Sequence, residues 1–256
     1  MTLIDSHCHL NYPGLVEDEV EVLERARARG VRGFLNISTR QSEWGDVVAA
    51  TERHSDVWAA IGVHPHEADQ HPDLDPTALV EAAKHPRVVA IGECGLDYHY
   101  DKSDRGAQRT RFATHIEAAR ISGLPLVIHT RDAEEDTAAI LREAGDVTGV
   151  LHCFTGSQWL AKQGIALGMC ISLSGIVTFK NATDLQQVAK VVPDDLLLVE
   201  TDAPFLSPVP NRGKPCEPAY VADTLAFVAR LRGVEAEALA ETTGANFFRL
   251  FAKAAQ

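Results

Sequence analysis

The feature of this sequence that most constrains its fold is an alternation of short apolar segments with longer amphipathic segments, repeated eight times. Most short segments are apolar at nearly every position, which is typical of parallel strands buried on both faces. The predicted strands are residues 3–7, 33–37, 57–63, 88–93, 126–129, 149–152, 170–173 and 196–201. A strand-then-helix order repeated in this way favours a closed barrel.

Helical periodicity fills the intervals between these strands. In the first interval Val16, Val20 and Leu23 recur at helical spacing, and Gly30 follows as a helix stop. The predicted helices are residues 16–29, 42–54, 77–84, 105–122, 133–143, 157–166 and 182–190, with two more at 220–231 and 235–251. A loop rich in proline and charge, residues 204–218, precedes the last two helices.

These patterns predict an α/β fold, namely a single (β/α)8 TIM barrel with an additional C-terminal helix, formed by residues 1–256 as one domain. Chains of this length commonly form one such barrel. An open, doubly wound sheet is the competing topology, but no predicted strand is followed by a glycine-rich dinucleotide loop. No organic cofactor is therefore expected.

The composition excludes some classes of function. The net charge of −12 argues against binding nucleic acid or membrane through bulk charge, although it allows a nucleic-acid substrate at a locally positive site. No apolar run has the ~18 to 20 residues of a membrane span, and no signal-peptide pattern is present. Five cysteines without a CxxC pair indicate reduced thiols. We predict a cytoplasmic monomer without a membrane partner.

Titratable side chains are concentrated where the predicted strands end. His7 and His9 lie two positions apart, so on a strand both side chains face the same side. The active site of a TIM barrel lies at the carboxyl ends of its strands. Imidazole or carboxylate groups stand at six of the eight predicted strand ends, so chance placement is a poor explanation.

Six of these side chains are candidate metal ligands: His7, His9, Glu93, His129, His152 and Asp202. Borderline metals take mixed imidazole and carboxylate ligands, and a catalytic ion keeps a position open for water. Six side chains are too many for one such ion but suit two divalent ions with Glu93 between them. The sequence does not choose among Zn²⁺, Mn²⁺ and Mg²⁺.

Five segments carry these residues: DSHCH at 5–9, GECGLD at 92–97, HTR at 129–131, HCFTG at 152–156 and ETDAP at 200–204. A sixth segment, GVHPH at 62–66, carries His64 and His66. Together, in their order along the chain, the six segments resemble the TatD family of metal-dependent deoxyribonucleases, within the amidohydrolase superfamily. The resemblance covers nearly the whole chain. By analogy, His7, His9 and Asp202 hold one ion, His129 and His152 hold the other, and Glu93 is shared.

The resemblance implies a hydrolase that cleaves phosphodiester bonds of DNA. A metal ion lowers the pKa of a bound water, so that hydroxide is available near neutral pH to attack phosphorus. Asp202 is expected to be the general base, and Glu93 and His64 complete the predicted catalytic residues. The sequence shows no strongly basic groove for a duplex, which favours exonuclease action on single-stranded ends.

Two other functions stay open. An amidohydrolase or esterase could use the same activated water on a C–N or ester bond, including an aminoacyl ester of a nucleic acid. The branch of the superfamily that bridges its metals with a carboxylated lysine is not matched, because Glu93 stands at that strand. A catalytically silent metal-binding scaffold is the other alternative, and the intact set of six ligands argues against it.

Residues beside the ligands are given supporting roles. His64 is predicted to contact the substrate phosphate or to donate a proton to the leaving oxygen, and His66 and Arg131 are predicted to bind substrate. Asp5 is expected either to orient an imidazole N–H or to make a buried structural hydrogen bond. Three cysteines that adjoin ligands are expected to face away from the site: Cys8, Cys94 and Cys153.

The loops at the predicted catalytic face carry basic and aromatic residues. The basic residues are Lys102, Arg105, Arg131, Lys180, Arg212 and Lys214. Together with two bound cations they would make the mouth attractive to phosphate despite the net negative charge. Tyr98, Trp159 and Phe205 are candidates for stacking on the bases of a single strand, with ordinary packing as the alternative.

Overall fold

The computed structural model describes residues 2–255, in which eight parallel strands form one sheet. They are β1 (Leu3–Cys8), β2 (Val31–Ile37), β3 (Val57–Ile61), β4 (Val88–Asp97), β5 (Leu126–Arg131), β6 (Gly149–Leu151), β7 (Cys170–Leu173) and β8 (Leu197–Val199). Their order in the sheet follows the chain. A parallel bridge between Cys8 and Ala203 joins the two ends, so the predicted barrel is confirmed.

Helices pack around the sheet, one after each strand. They are α1 (Glu19–Ala28), α2 (Trp44–Arg53), α3 (Pro76–Ala82), α4 (Arg105–Ser122), α5 (Glu134–Ala144), α6 (Gln158–Ala166), α7 (Thr183–Val191) and α8 (Val221–Arg232). The additional C-terminal helix is α9 (Ala236–Leu250). Within residues 2–255, no helix combines the length and the apolar character needed to cross a membrane.

The first helix begins later than predicted and buries a different face. The α-helix starts at Glu19, after a single 3₁₀ turn, and both Val16 and Val20 are exposed. Its buried residues are Glu19, Val22, Leu23 and Ala26. Glu19 is accommodated at the edge of the core because its carboxylate accepts hydrogen bonds from Arg53 and His54. The predicted apolar face was therefore wrong.

The barrel interior is apolar at the end opposite the strand termini that carry the predicted site. A cluster of buried strand residues, among them Ile4, Leu35 and Val127, packs with Phe247 and Phe251 of α9. Helix α9 also contacts β1 and β8. The C-terminal helix therefore covers the amino-terminal end of the barrel, which leaves the carboxyl ends of the strands for chemistry.

A buried histidine of α4 holds the segment that leads from β3 towards the site. Its Nε2 accepts a hydrogen bond from the Val63 N–H at 2.9 Å, and its Nδ1 donates to the Arg111 carbonyl at 2.7 Å. This residue, His115, is fully buried. It is neutral with the proton on Nδ1, since burial lowers the pKa of His115 to about 4.

We expect His115→Gln to remove part of the acid sensitivity of the fold. The pKa of His115 in the folded chain is about 4, below the usual 6.5, so its contribution to stability is present above pH ~6.5 and is lost as the pH falls. Between pH 7.5 and pH 5, the free energy of unfolding should fall by about 2 kcal/mol more in the wild type than in the variant.

Urea denaturation of both proteins at the two pH values measures this difference. All other histidines are present in both proteins, so their contributions cancel. Equal falls in the free energy of unfolding would contradict the prediction.

Candidate metal centre

The predicted ligands converge around Glu93 of β4, whose two carboxylate oxygens face different neighbours. Oε2 lies 3.4 Å from His7 Nε2 and 3.9 Å from His9 Nε2. Oε1 lies 2.8 Å from His152 Nε2 and 3.4 Å from His129 Nδ1. One carboxylate therefore stands between two groups of imidazole nitrogens.

We define the first cluster as His7, His9 and Asp202. Asp202 Oδ1 lies 3.6 Å from His7 Nε2 and 3.5 Å from His9 Nε2, and the two nitrogens are 3.3 Å apart. His7 is in β1 and His9 follows it directly. Their side chains lie on one face because the two residues are two positions apart. Asp202 follows β8, whose junction with β1 includes a hydrogen bond from the Asp202 N–H to the His7 carbonyl.

We define the second cluster as Glu93, His129 and His152, the remaining predicted ligands. Both imidazoles face the same oxygen, Glu93 Oε1. The donor atoms that lie within 4.8 Å of one another form three groups: His7–His9–Asp202, His7–Glu93–His152 and His64–Glu93–His129. His129 and His152 thus fall into different groups, and both groups contain Glu93.

Hydrogen bonds fix which nitrogen of His9 and of His129 is free to bind a cation. His9 Nδ1 donates to the Ile37 carbonyl at 3.0 Å, so its Nε2 lone pair faces the first cluster. His129 Nε2 lies 2.9 Å from an Asp97 carboxylate oxygen, which leaves Nδ1 facing Glu93. Such outer partners orient metal-binding imidazoles in proteins.

His64 lies as close to Glu93 as the predicted ligands do, but its protonation differs. Its Nε2 is 3.3 Å from Glu93 Oε1. Its Nδ1 accepts a hydrogen bond from the His66 N–H at 3.0 Å, and burial lowers the pKa of His64 to about 4. A neutral His64 therefore carries its proton on Nε2. This arrangement suits hydrogen-bond donation better than metal binding.

Asp97, for which the sequence pattern predicted no role, connects two site histidines. Its Oδ2 lies 2.9 Å from His129 Nε2 and 3.0 Å from His66 Nε2. Its Oδ1 accepts the N–H groups of His99 and Tyr100, and these bonds together hold the pKa of Asp97 far below its usual value in spite of burial. Asp97 is therefore an ionised group that orients both rings.

Gly95 explains how Asp97 reaches His129. It has a φ of +122°, and a Cβ at this position would lie 2.0 Å from the His129 carbonyl oxygen. Only glycine allows β4 and β5 to approach this closely. Strand β4 consequently continues past Glu93 to Asp97, and both carboxylates face the barrel axis because they are four residues apart.

Glu200 is the second site residue that sequence analysis left without a role. It is fully buried after β8, and its Oε1 accepts the Cys153 N–H at 2.6 Å. The same oxygen lies 3.3 Å from His152 Nδ1. Glu200 thereby accepts a hydrogen bond from the Nδ1–H of His152 and leaves the His152 Nε2 facing Glu93.

The structure decides the roles left open for Asp5 and the cysteines. Asp5 accepts hydrogen bonds from the Thr201 N–H and hydroxyl at 2.8 and 2.6 Å, so it makes a buried structural contact and orients no imidazole. Cys8 and Cys94 are buried among core residues, as predicted. Cys153 was predicted wrongly, because it lines the site cavity.

The electrostatics of the site keep its carboxylates ionised. Burial by itself raises the pKa of Glu93, but His152, His64 and His129 hold it well below its usual value. Burial likewise opposes ionisation of Asp202, and the neighbouring His9 and His7 lower its pKa. Ionised carboxylates among imidazole nitrogens are a donor set that Zn²⁺ and Mn²⁺ accept. The groups of donor atoms around Glu93 and Asp202 therefore fit divalent cations.

The site opens into a cavity of about 840 Å³, which we call the reaction cavity. The predicted residues that line it are His9, His64, His66, Glu93, His129, Arg131, His152 and Asp202. His7 is fully buried. The three predicted substrate-binding residues thus lie at the same opening as the predicted metal ligands.

One of the three aromatic candidates for base stacking lies at this cavity, and the other two leave packing as the explanation. Phe205 lines it, but Tyr98 and Trp159 do not. Tyr98 instead donates a hydrogen bond to a carboxylate of α5 at 2.6 Å. Tyr12 and Tyr100 line the cavity and supply additional rings.

The basic residues predicted at this face divide into three groups. Lys102 and Arg131 line the reaction cavity. Lys180 and Arg212 line a neighbouring groove. The remaining two, Arg105 and Lys214, line neither. Of the six basic residues predicted at this face, only two therefore line the reaction cavity.

Backbone strain is concentrated at this cavity. Among the described residues, five that are not glycine have a positive φ: Asp101, Asp132, Cys153, Asp202 and Leu206. All except Asp101 line the reaction cavity. Such conformations are rare outside glycine and gather at functional sites, where packing enforces them.

We expect Asp97→Asn to weaken cation binding at the second cluster by about 10-fold to 100-fold, the usual effect of losing such a partner. The amide is neutral, and its NH₂ group cannot accept the His129 proton. Competition with a chromophoric chelator measures the affinity of each site, and thermal unfolding separates this effect from loss of stability.

Asp132→Asn is a matched control, because Asp132 Oδ2 lies 2.8 Å from His99 Nδ1 at the exposed rim of the same cavity. It should leave both metal affinities unchanged. Equal effects of the two substitutions would show that Asp97 does not position a ligand.

Known proteins match this chain along its length. The model of a family described as TatD related DNase matches residues 4–252. A protein from Escherichia coli (strain K12), named as the uncharacterized metal-dependent hydrolase YcfH, is 44% identical over 256 residues, which cover 98% of this chain and 96% of that protein. The 3'-5' ssDNA/RNA exonuclease TatD of Citrobacter koseri is 35% identical and covers 97% of this chain and 98% of its own.

The fold is also matched by solved structures. The crystal structure of YJJV, a TatD homologue from Escherichia coli K12, superposes with a TM-score of 0.92 at 30% identity and covers 98% of each chain. A hydrolase of the TatD family from Entamoeba histolytica superposes with a TM-score of 0.86 at 22% identity, which speaks for the fold alone.

Proposed function

Because the chain belongs to the TatD family of metal-dependent hydrolases, we propose that it is a deoxyribonuclease that shortens single-stranded DNA from the 3' end. One observation carries the proposal. Residues of both clusters, two unpaired cations and three aromatic rings border one cavity. The direction of digestion and the possible use of RNA follow the name of the Citrobacter koseri relative.

The dimensions of the reaction cavity suit one terminal nucleotide. Its volume of about 840 Å³ is within the range of small-molecule sites, which is ~300 to 1,000 Å³. A continuous duplex would not enter it, whereas a frayed end would. The rings of Tyr12, Tyr100 and Phe205 offer stacking surfaces for a single base.

Two cations of this cavity are available for a phosphate. The Arg131 guanidinium lies 4.7 Å from the centre of the Tyr100 ring, and the Lys102 ammonium lies 5.7 Å from it. Within residues 2–255, neither Arg131 nor Lys102 forms an ion pair. Arg40, by contrast, is paired with Glu67 at 2.9 Å. Unpaired cations held against one ring suit recognition of a phosphodiester.

We assign roles to the residues of the chain as follows. Bound at the two clusters, divalent ions would activate water and neutralise charge on the phosphoryl oxygens. Asp202 accepts the proton of the attacking water at a carboxylate oxygen. His64, with its proton on Nε2, donates a hydrogen bond to the leaving oxygen, which takes its proton from water, and Arg131 holds the phosphate.

The test uses single-stranded oligonucleotides labelled at the 5' end, after treatment with chelator and after addition of Mg²⁺, Mn²⁺ or Zn²⁺. We expect a ladder of products that shortens one nucleotide at a time, no reaction with chelator, and at least about tenfold slower digestion of a blunt duplex. Cleavage of circular single-stranded DNA would contradict action from an end.

The alternatives are tested in the same experiment. A panel of amides, esters and an aminoacyl nucleotide is incubated under the same conditions. Hydrolysis of the carbonyl substrates without shortening of DNA would replace the proposal by the amidohydrolase alternative. Inertness on every substrate with two ions bound would favour a silent scaffold.

We further propose that the protein acts as a monomer in the cytoplasm. All five cysteines are free thiols, which is the usual state in a reducing compartment. Size-exclusion chromatography with light scattering tests the monomer, and a mass of twice 27.8 kDa would contradict it.

A further inference from the structure

A second cavity of about 490 Å³, which we call the side groove, lies next to the reaction cavity. It is lined by Ile176, Phe179, Lys180, Asn181, Ala182 and Arg212. Ile176 also lines the reaction cavity. A ligand that extends out of the reaction cavity past Ile176 would therefore enter the side groove.

Two loops that pack tightly on each other form the wall between these cavities. Thr178, in the loop after β7, accepts a hydrogen bond from the Val209 N–H in the loop after β8, at 2.8 Å. A Cβ on Gly175 would lie 2.1 Å from the Leu206 carbonyl oxygen, so only glycine allows this approach. Leu206 lines the reaction cavity and Arg212 lines the side groove, so one anchored loop borders both.

The side groove carries two positive charges that no carboxylate neutralises. The Arg212 guanidinium lies 4.1 Å from the centre of the Phe179 ring. In the described part of the chain, neither Arg212 nor Lys180 forms an ion pair. This is notable in a chain with 36 acidic and 24 basic residues. Two unpaired cations and an aromatic ring in one groove suit a phosphate joined to a base.

We propose that the side groove binds the nucleotide next to the terminal one, with its phosphate on Lys180 and Arg212 and its base on the Phe179–Arg212 stack. This proposal rests on the proposed function, and it extends the bound part of the substrate from one nucleotide to a longer strand. A ring and a guanidinium stack on any base, so the groove should accept all sequences.

The test compares a long substrate with one that fills only the reaction cavity. Lys180→Ala and Arg212→Ala are assayed on a single-stranded thymidylate hexamer and on bis(p-nitrophenyl) phosphate. We expect kcat/KM on the hexamer to fall by about fivefold to tenfold in each variant, and hydrolysis of the small diester to stay unchanged. Falls of equal size on both substrates would point to damage at the reaction cavity and would contradict the proposal.

Salt dependence provides an independent measurement. The slope of log affinity against log salt for a single strand is about 0.7 per phosphate contact. Each variant should therefore lose about 0.7 from the slope measured by fluorescence anisotropy of a labelled hexamer. This binding is measured with chelator present, so it does not depend on turnover.

Two matched controls lie at the far ends of neighbouring helices. Lys190 is exposed in the last turn of α7, and Arg230 lies 5.6 Å from the Phe227 ring in the last turn of α8. Lys190→Ala and Arg230→Ala remove the same charges without reaching either cavity. Both should bind and cleave the hexamer as the wild type does.

The outcomes separate this proposal from the proposed function. Equal hexamer affinities and equal salt slopes in wild type, Lys180→Ala and Arg212→Ala would overturn the side-groove proposal, even for an active nuclease. A wild type that cleaves no diester would refute the proposed function. Weaker hexamer binding by the two variants would still support the groove in that case.

Discussion

Glu93→Gln is expected to reduce kcat on DNA by at least about 10³-fold and to lower the metal content from two ions per chain to one or none. Glu93 is the residue that faces both clusters, with Oε2 towards His7 and Oε1 towards His152. An amide has one acceptor oxygen and a donor NH₂ group, so it cannot present an anionic oxygen to each side.

Glutamine has nearly the size of glutamate, so the variant should fold, which circular dichroism checks. Metal content is measured by mass spectrometry after equilibration with Mn²⁺ or Zn²⁺. Glu67→Gln is the matched control, since Glu67 lines the same cavity but is paired with Arg40. It should keep two ions and stay within about threefold of wild-type activity. An active Glu93→Gln protein with two ions would exclude the bridging role.

The barrel could be predicted because strand periodicity and strand ends are local properties of the sequence. Short, wholly apolar segments specify buried parallel strands, and parallel strands bring their carboxyl ends to one side. His7 and Glu93 were therefore predicted to lie near each other although 86 positions separate them. Residue positions along the chain do not give the distances between side-chain atoms. The grouping of ligands around each oxygen of Glu93 therefore required the structure.

The length of β4 explains why Tyr98 packs against a helix and why the role of Asp97 was missed. The predicted strand ended at Glu93, which left Tyr98 on a loop and Asp97 without a role. The strand in fact continues to Asp97, so alternation places Asp97 inward and turns Tyr98 towards the helices. The sequence contained an indication that Asp97 faces the site. Asp97 lies an even number of residues after Glu93, and Gly95 stands between them.

The side-chain direction of Cys153 was predicted wrongly because β6 is shorter than predicted, whereas β4 is longer. Its predicted outward direction assumed that the sixth strand reaches His152. Strand β6 ends at Leu151, and Cys153 has a φ of 40°, so the alternation of side chains no longer applies there. Burial and the nearby carboxylates of Asp202 and Glu200 raise the pKa of the Cys153 thiol well above its usual value, which disfavours the thiolate form.

Asp202→Asn is expected to lower kcat on DNA by about 10²-fold to 10⁴-fold, the range for loss of a general base. Asp202 Oδ1 lies 3.5 Å from His9 Nε2 and the residue lines the reaction cavity, so its carboxylate can contact both a cation and the attacking water. Asparagine provides a neutral oxygen, which is a weaker ligand and a far weaker base. The first cluster should therefore lose cation affinity, and the second should keep it.

Metal titration and single-turnover cleavage of a labelled oligonucleotide separate the two losses, because saturating Mn²⁺ can restore occupancy but not the base. Asp132→Asn again serves as the control, since Asp132 lines the same cavity with a φ of 52°, close to the 60° of Asp202. Asparagine accepts this conformation as readily as aspartate, so neither substitution disturbs the backbone. Turnover unaltered with both ions bound would remove Asp202 from the chemistry. Loss of the ion at His129 and His152, with the first cluster still occupied, would show that the two sites are assigned the wrong way round.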